Sequence, residues 1–539
     1  MSSLNESLDT SPAEETSVER PDATGGDAPG ARKDLELRNL DLGALRDHLD
    51  GQSAPRVWRS LQEVANTPEF EELVHREFPD QASTWNADDV SRRRFLQLMS
   101  ASLALGGLTA CTRQPLERIV PYVNMPEQIV PGQPLFYATS MELDGYAFGL
   151  LAESHMGRPT KLEGNPQHPS SGGRSDLFAQ ASILDLYDPS RSENVRQLGR
   201  IRTWEAFETE ITSAVAAARG LQGEGLRILS GTITSPTLGH LRSQLLAEMP
   251  KARWHQYEPI GHHSVRAGAE AAFGTPVALD YDFSKAEIVV ALDADFLTDG
   301  PGRIRYARDF AEKHRVRADE HDPSRLYALE STPTPTGTVA DHRAPLSIAE
   351  IGQIASAIAA RLGVPGVSGQ APSDQADLVD AIVTDLQGHR GRSIVIAGRQ
   401  APAELHTIAN AINATLGNIG ETVITLEPIE AAPEDQIASL AELVSDMRNG
   451  NVDTVVVLEG NPVFDAPVDL DFLEAYKKVE RRVYLGLFEN ETAEYSQWTL
   501  PAAHFLESWG DGRAHDGTTT FRQPLIEPLY DGRSALEVV

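Results

Sequence analysis

Read for its alternation of apolar and polar positions, the chain changes character near residue 136. From there on, short apolar runs alternate with segments whose apolar residues recur every three or four positions. A run of about five apolar residues closed by glycine or a polar pair reads as a strand buried on both faces, and the 3.6-residue spacing reads as an amphipathic helix. Strands are predicted at 146–154, 160–163, 226–230, 253–257, 287–292, 325–330, 393–397, 452–458 and 483–488. Helices are predicted at 176–187, 202–218, 236–248, 264–273, 303–313, 348–362, 373–386, 403–416, 433–448 and 470–476, with a linker at 331–346. Strands and helices in this alternation predict parallel sheets covered on both faces, so the fold class is α/β. The expected architecture is two doubly wound parallel-sheet units and a small mixed β region.

The pattern also divides the chain. Residues 1–56 form an acidic N-terminus expected to be disordered, because Ser, Glu, Asp, Pro and Gly offer too little apolar surface to offset the entropy of ordering. Residues 57–90 hold a short helical segment around Trp58, Leu61, Phe70 and Leu73. Residues 91–111, SRRRFLQLMSASLALGGLTAC, follow the order of a twin-arginine export signal: Arg92 and Arg93, then a mostly apolar run, then a lipobox ending at Cys111. The apolar run is shorter than the roughly 20 residues a membrane span needs. Residues 112–219 are expected to form a proline-rich strap and the small mixed β domain, 220–345 the first α/β unit, 346–500 the second, and 501–539 the start of a junction or C-terminal domain.

Composition narrows the chemistry. The 539 residues carry 47 Lys and Arg against 79 Asp and Glu, a formal net charge of −32. That excess disfavours nucleic acid as a partner and favours a basic electron carrier. With a single cysteine, the chain has no set of thiolates for an iron–sulfur cluster, a disulfide or a cysteine-rich zinc site.

Loops that follow parallel strands are the places where a doubly wound fold takes an anion or a nucleotide. Here they carry Gly231, Asp293 with Asp295, Gly398 with Arg399, and Gly460 with Asn461 and Pro462. None is a GxGxxG or GxxxxGK[ST] run, which argues against a nicotinamide dinucleotide or a P-loop nucleotide. A pterin is not excluded on this ground. Glu258, His262 and His263 are candidates for one metal ion, and Asp282, Asp293, Asp295 and Asp299 read as caps and turn formers. His504, Glu507 and Trp509 read as a polar loop at a junction.

Four segments carry a family resemblance. Residues 157–169, GRPTKLEGNPQHP, resemble the GRPxKxEGNPxHP signature of the molybdopterin oxidoreductases. The stretch from Gly173 to Asp188 and Pro189 is similar to their continuation toward LYDPxR, and Gly460–Asn461–Pro462 to their second cofactor-side loop. Residues 491–510 resemble their ETA…LPA…E…G segment. Within the family, residues 58–79, 91–111, 253–259 and 325–343 resemble most the large periplasmic iron–sulfur subunit of alternative complex III, a quinol-oxidising respiratory complex.

The resemblance implies a molybdopterin-oxidoreductase-like fold on the periplasmic side of the inner membrane, exported by the twin-arginine route. It implies membrane association through partners and, if the lipobox is used, through a lipid on Cys111. The implied partners are a ferredoxin-like iron–sulfur half or subunit, multihaem cytochrome c subunits and an integral membrane quinol-oxidising subunit. Two departures matter. No cysteine precedes the signature within 112–156, and none follows it, where Ser175, Asp176, Leu177 and Phe178 stand instead. The branch therefore implies a cofactor-free structural part with no catalytic residue and no metal ligand. Iron–sulfur clusters and haem would sit in a missing half or in partner chains, and the chain would be a fragment or a split-gene product. Under the alternative, an active molybdopterin enzyme with clusters on a partner, Asn165, His168, Gly460 and Asn461 would line the pterin channel.

Overall fold

The computed structural model of the protein describes residues 129–316 and 323–539. The expected disordered N-terminus, the helical segment at 57–90, Arg92, Arg93 and Cys111 lie outside the described residues.

The chain enters as an antiparallel meander of β1 (Leu135–Leu143), β2 (Tyr146–His155) and β3 (Arg158–Gly164). The turn between β1 and β2 places Asp144 and Gly145 at positive φ, as a two-residue hairpin of right-handed strands requires. The small β region is thus wholly antiparallel. Leu150, Ala152 and Leu162 bury one face of the meander against the helix Leu177–Leu186, which offers Ala179, Ile183 and Leu186.

The remaining strands are β4 (Arg196–Gln197), β5 (Arg200–Ile201), β6 (Leu226–Ser230), β7 (Arg253–Gln256), β8 (Ala278–Tyr281), β9 (Ile288–Leu292), β10 (Arg325–Glu330), β11 (His342–Pro345) and β12 (Ser393–Ala397). They continue with β13 (Val423–Leu426), β14 (Thr454–Leu458), β15 (Arg481–Gly486), β16 (Trp498–Pro501), β17 (Gly510–Arg513) and β18 (Thr519–Arg522).

Two parallel sheets dominate. The larger has the order β5-β4-β16-β15-β14-β6-β7, parallel from β16 to β7, with β4 and β5 added antiparallel at one edge. The smaller has the order β11-β10-β9-β12 and is parallel throughout. Both are doubly wound. In the smaller sheet, Ile288, Val290 and Val395 face the helices Ile348–Leu362, Ala376–Gly388 and Ala403–Leu416, while Val289, Ala291 and Ile394 face Tyr306 and Phe310 of the helix Arg303–His314. In the larger sheet, Val455 and Val457 meet Leu440, Leu443 and Met447 of the helix Gln436–Arg448, and Ile228 and Trp498 meet Trp204 and Phe207 on the opposite side. Each fully buried Ile, Leu or Val of this kind contributes about 1.5–3 kcal/mol.

The sheets do not divide at residue 346. β6 and β7 pair with β14 and its neighbours, whereas β12 joins β9. The smaller sheet is inserted between two parts of the larger one. Hydrophobic periodicity identifies a strand and says nothing of its partner. The expected linker at 331–346 also holds structure: a helical turn, Pro335–Thr338, capped by Thr334, and the edge strand β11, which has no apolar alternation to announce it.

Candidate functional site

In an open parallel sheet, ligands settle beyond the carboxyl ends of the strands, where the strand order reverses. In the larger sheet that reversal falls between β6 and β14, because β7 lies on one side of β6 and β14 on the other. A cleft of about 930 Å³ opens there, lined by the loops after β6, β7, β14 and β15, by the β1–β2 turn, and by Phe178, Ser182 and Asp185 of the helix Leu177–Leu186.

The positions where an anion would accept backbone N–H groups are taken by the chain's own side chains. Glu258, just past β7, accepts from the Thr232 N–H at 3.0 Å, and Gln256 accepts from the Ile233 N–H at 3.0 Å. Gly231 permits this approach, since a Cβ there would meet Glu258 Oε1 at 2.3 Å. Asp511 sits on the N-terminus of the helix Pro236–Glu248, taking the Thr237 N–H at 3.2 Å, the Thr237 hydroxyl at 2.6 Å and the Ser235 hydroxyl.

The rest of the cleft is acidic. Glu142, Asp144, Asp185, Glu258, Glu459 and Asp465 line it beside one lining guanidinium, that of Arg522, 3.5 Å from Glu142, while Asp144 is also bridged by Arg399 from outside the cleft. Burial pushes Glu142 up to about 7, only partly offset by Arg522. Burial likewise pushes Glu258 up to about 7, reinforced by the charge of Asp144, and Asp465 up to about 6.

Gly460 and Asn461 line this cleft; Asn165 and His168 are not among its lining residues. Glu459 and Gly460 carry the loop through the left-handed region, with φ of 63° and 73°. The Asn461 side chain is spent on the short helix Glu491–Glu494: it donates to Glu491 at 2.6 Å and accepts from the Thr492 N–H at 3.1 Å and hydroxyl at 2.9 Å. Asn165 shapes its own turn by accepting from the Gln167 N–H at 2.9 Å. His168 is a buried clamp, bonded to Thr520 at 2.8 Å and Ser170 at 2.9 Å.

The smaller sheet reverses between β9 and β12, and a cavity of about 320 Å³ lies at that point. Its charged groups are also paired internally. Arg399 bridges Asp144 at 3.0 Å and Asp299, and Glu430 takes both Arg266 and the Tyr146 hydroxyl at 2.7 Å. Burial holds His262 near 3 and His406 near 4, so both imidazoles are neutral at pH 7. Glu258 belongs to the first cleft and His262 and His263 line the second cavity, so the metal set considered from sequence is not assembled. Among the described residues no group of three or more His, Cys, Asp or Glu side chains could hold a metal ion. Asp293 accepts from the Ser331 N–H at 2.8 Å and Asp295 from the Thr336 N–H at 3.1 Å, in keeping with turn formers, whereas Asp299 is instead an ion-pair partner of Arg399.

Sequence reading missed the acid that matters most. Glu258 stands in the run considered for metal binding, and only the pairing of β6 with β7 brings it onto the glycine loop after β6.

No family model matches the chain. A solved structure, acetylene hydratase from Pelobacter acetylenicus, superposes over 74% of this chain and 68% of its own, with a TM-score of 0.56 and 13% identity. The fold is that of the molybdopterin oxidoreductases. Consistent with a molybdopterin-oxidoreductase-like chain, a curated relative is the menaquinone reductase molybdopterin-binding-like subunit of Nitratidesulfovibrio vulgaris, strain Hildenborough. It is 24% identical over 453 residues, which are 75% of this chain and 64% of the relative. The chain thus matches less than two thirds of that relative's length. Among the described residues of this molybdopterin-oxidoreductase-like chain, no helix is long and apolar enough to cross a membrane.

Proposed function

We propose that the chain is a structural subunit of a respiratory quinone oxidoreductase complex, in which a molybdopterin-type fold serves as scaffold. The observation that carries this reading is Glu258, seated on the Thr232 N–H at the reversal point of the larger sheet. A molybdopterin cofactor is anionic through its phosphate, and it needs free N–H groups and cations where it docks. Glu258 and Asp511 already occupy the N–H groups, and the carboxylates around them would repel a phosphate. The residues present do not fit the group.

The respiratory context is supported by the relative named as a menaquinone reductase subunit. The finer reading, a periplasmic subunit of alternative complex III, rests on the resemblance of residues 58–79, 91–111, 253–259 and 325–343. In it, iron–sulfur clusters, multihaem cytochromes and the quinol-oxidising membrane subunit are partners, and Arg92, Arg93 and Cys111 direct export and anchoring. One observation favours the active-enzyme alternative: Gly460 and Asn461 do line the larger cleft.

Elemental analysis of the membrane-purified complex, with the intact mass of this chain taken on the same sample, separates the two. The scaffold reading expects molybdenum and tungsten far below one atom per chain. A ratio near one would overturn it.

A further inference from the structure

The cleft at the β6–β14 reversal combines an acidic floor with an apolar rim, and the two together describe an occupant. On the helix Leu177–Leu186, Ala179, Ser182, Ile183 and Leu186 are buried against the meander. The opposite face is apolar as well: Leu177, Phe178 and Leu184 are 78%, 60% and 70% exposed. Phe178 and Ala181 of that face line the cleft. Trp509 also lines the cleft and is 67% exposed. Large aromatic and aliphatic side chains gathered in the open at the mouth of a groove mark a contact surface. Behind this rim lie the six carboxylates and Arg522. Glu142, with 31% of its side chain exposed, and the half-buried Asp465 both line the groove. A carboxylate on the wall of a groove pairs with a charged N–H group that enters it.

We propose that this cleft is the docking groove for a basic amphipathic segment of a partner subunit, whose apolar side chains cover Phe178, Leu184 and Trp509 and whose lysine or arginine side chains reach Glu142 and Asp465. Charge complementarity selects this occupant: the groove is acidic within a chain of net charge −32, so a basic segment meets opposite charge there and an acidic one is repelled. A second copy of this chain, equally acidic, is disfavoured on the same ground. The inference rests on the scaffold reading, because a resident cofactor would compete for the same volume.

The test uses the full chain, with molybdenum content measured on the same preparation. A fluorescent twelve-residue peptide of alternating leucine and lysine is titrated against it, beside peptides of alternating leucine and glutamate and of lysine alone. The Leu–Lys peptide is expected to bind most tightly. The paired substitution Phe178→Ser with Trp509→Ser, both on exposed side chains, should weaken it about tenfold. Glu142→Gln with Asp465→Asn should weaken it and flatten its salt dependence. Glu224→Gln with Glu248→Gln, on exposed acids outside the cleft, should change nothing. A photo-crosslinking residue at position 509 in the assembled complex should join a co-purifying subunit within a few residues of lysine or arginine. Equal binding of the lysine-only peptide, indifference to the cleft substitutions, or cross-linking only to lipid, to another copy or to an acidic segment would overturn the proposal. If molybdenum is near one per chain, the scaffold reading itself has failed. If it is absent and the cleft substitutions are silent, only the docking inference has failed.

Discussion

Arg191 and Glu507 face each other with side chains 1% and 0% exposed, joined by two hydrogen bonds of 3.1 and 2.7 Å. Burial pushes the Glu507 carboxyl up, but the Arg191 fork and the N–H groups of Leu529 and His504 outweigh it and hold the carboxyl below its ordinary range. Removing one partner strands a buried charge, so Glu507→Gln should lower stability by about 3–5 kcal/mol in urea denaturation. A loss below about 1 kcal/mol would mean that the fork is dispensable. Glu258 gives a prediction in pH. Its folded value of about 7 stands above the ordinary 4.5, so between those values the folded state holds a proton that the unfolded state has released. Its contribution is therefore favourable below pH 4.5, declines as pH rises, and is fully lost above about 7. Glu142 acts in the same sense, whereas His262 and His406, held neutral, cost stability as pH falls from 6.5. Comparing Glu258→Gln with the parent cancels the other groups: the advantage of the variant should grow from pH 5 to pH 8, by about 1–3 kcal/mol. A constant difference across that range would contradict the assignment. Glu507 itself reads from sequence as part of a polar junction loop, because nothing local announces Arg191 as its partner.

At the scale of elements, β12 is an edge strand whose outer side is closed by a side chain. Asn413, on the helix Ala403–Leu416, accepts from the Val395 N–H at 3.0 Å and donates to the Val395 carbonyl at 2.7 Å, standing in for a missing neighbour strand. Asn418 supports it at 2.9 Å. Asn413→Leu would orphan both groups, and a loss of about 2–4 kcal/mol with faster amide exchange at Val395 is expected. Unchanged exchange there would show that the edge is protected some other way. Elements with strong local signals were legible. Leu226–Ser230, Arg325–Glu330, Ser393–Ala397 and the helices Pro236–Glu248, Ile348–Leu362 and Ala403–Leu416 match their expected bounds. Their strands are short apolar runs buried on both faces, and Ser347 with Glu350 closes a capping box at the start of one helix. The strands β8 and β13 pair with each other across a long stretch of chain and are half exposed, so their pattern carries little apolar contrast. The candidate cleft was legible in its Gly231 and Gly460–Asn461 loops but not in its acids, which come from four separate segments that the fold alone gathers.

For the whole molecule, the deciding feature is that the larger sheet is interrupted by the smaller one. Residues 220–345, expressed alone, should therefore give no cooperative thermal transition, because β6 and β7 would lack β14 and β9 would lack β12. A sharp transition from that segment would show that it folds without its distant partners. The same interruption has a consequence in time. As the chain leaves the ribosome, Leu226 emerges long before Thr454, the residue it pairs with, and the smaller sheet is complete while the larger one is still an open ribbon. Closing so long a loop before its contacts can form slows folding and leaves unpaired strand edges exposed meanwhile. Newly made chains should thus dwell as half-built intermediates, and chaperones that shield bare strand edges should raise the yield of this protein more than faster synthesis does.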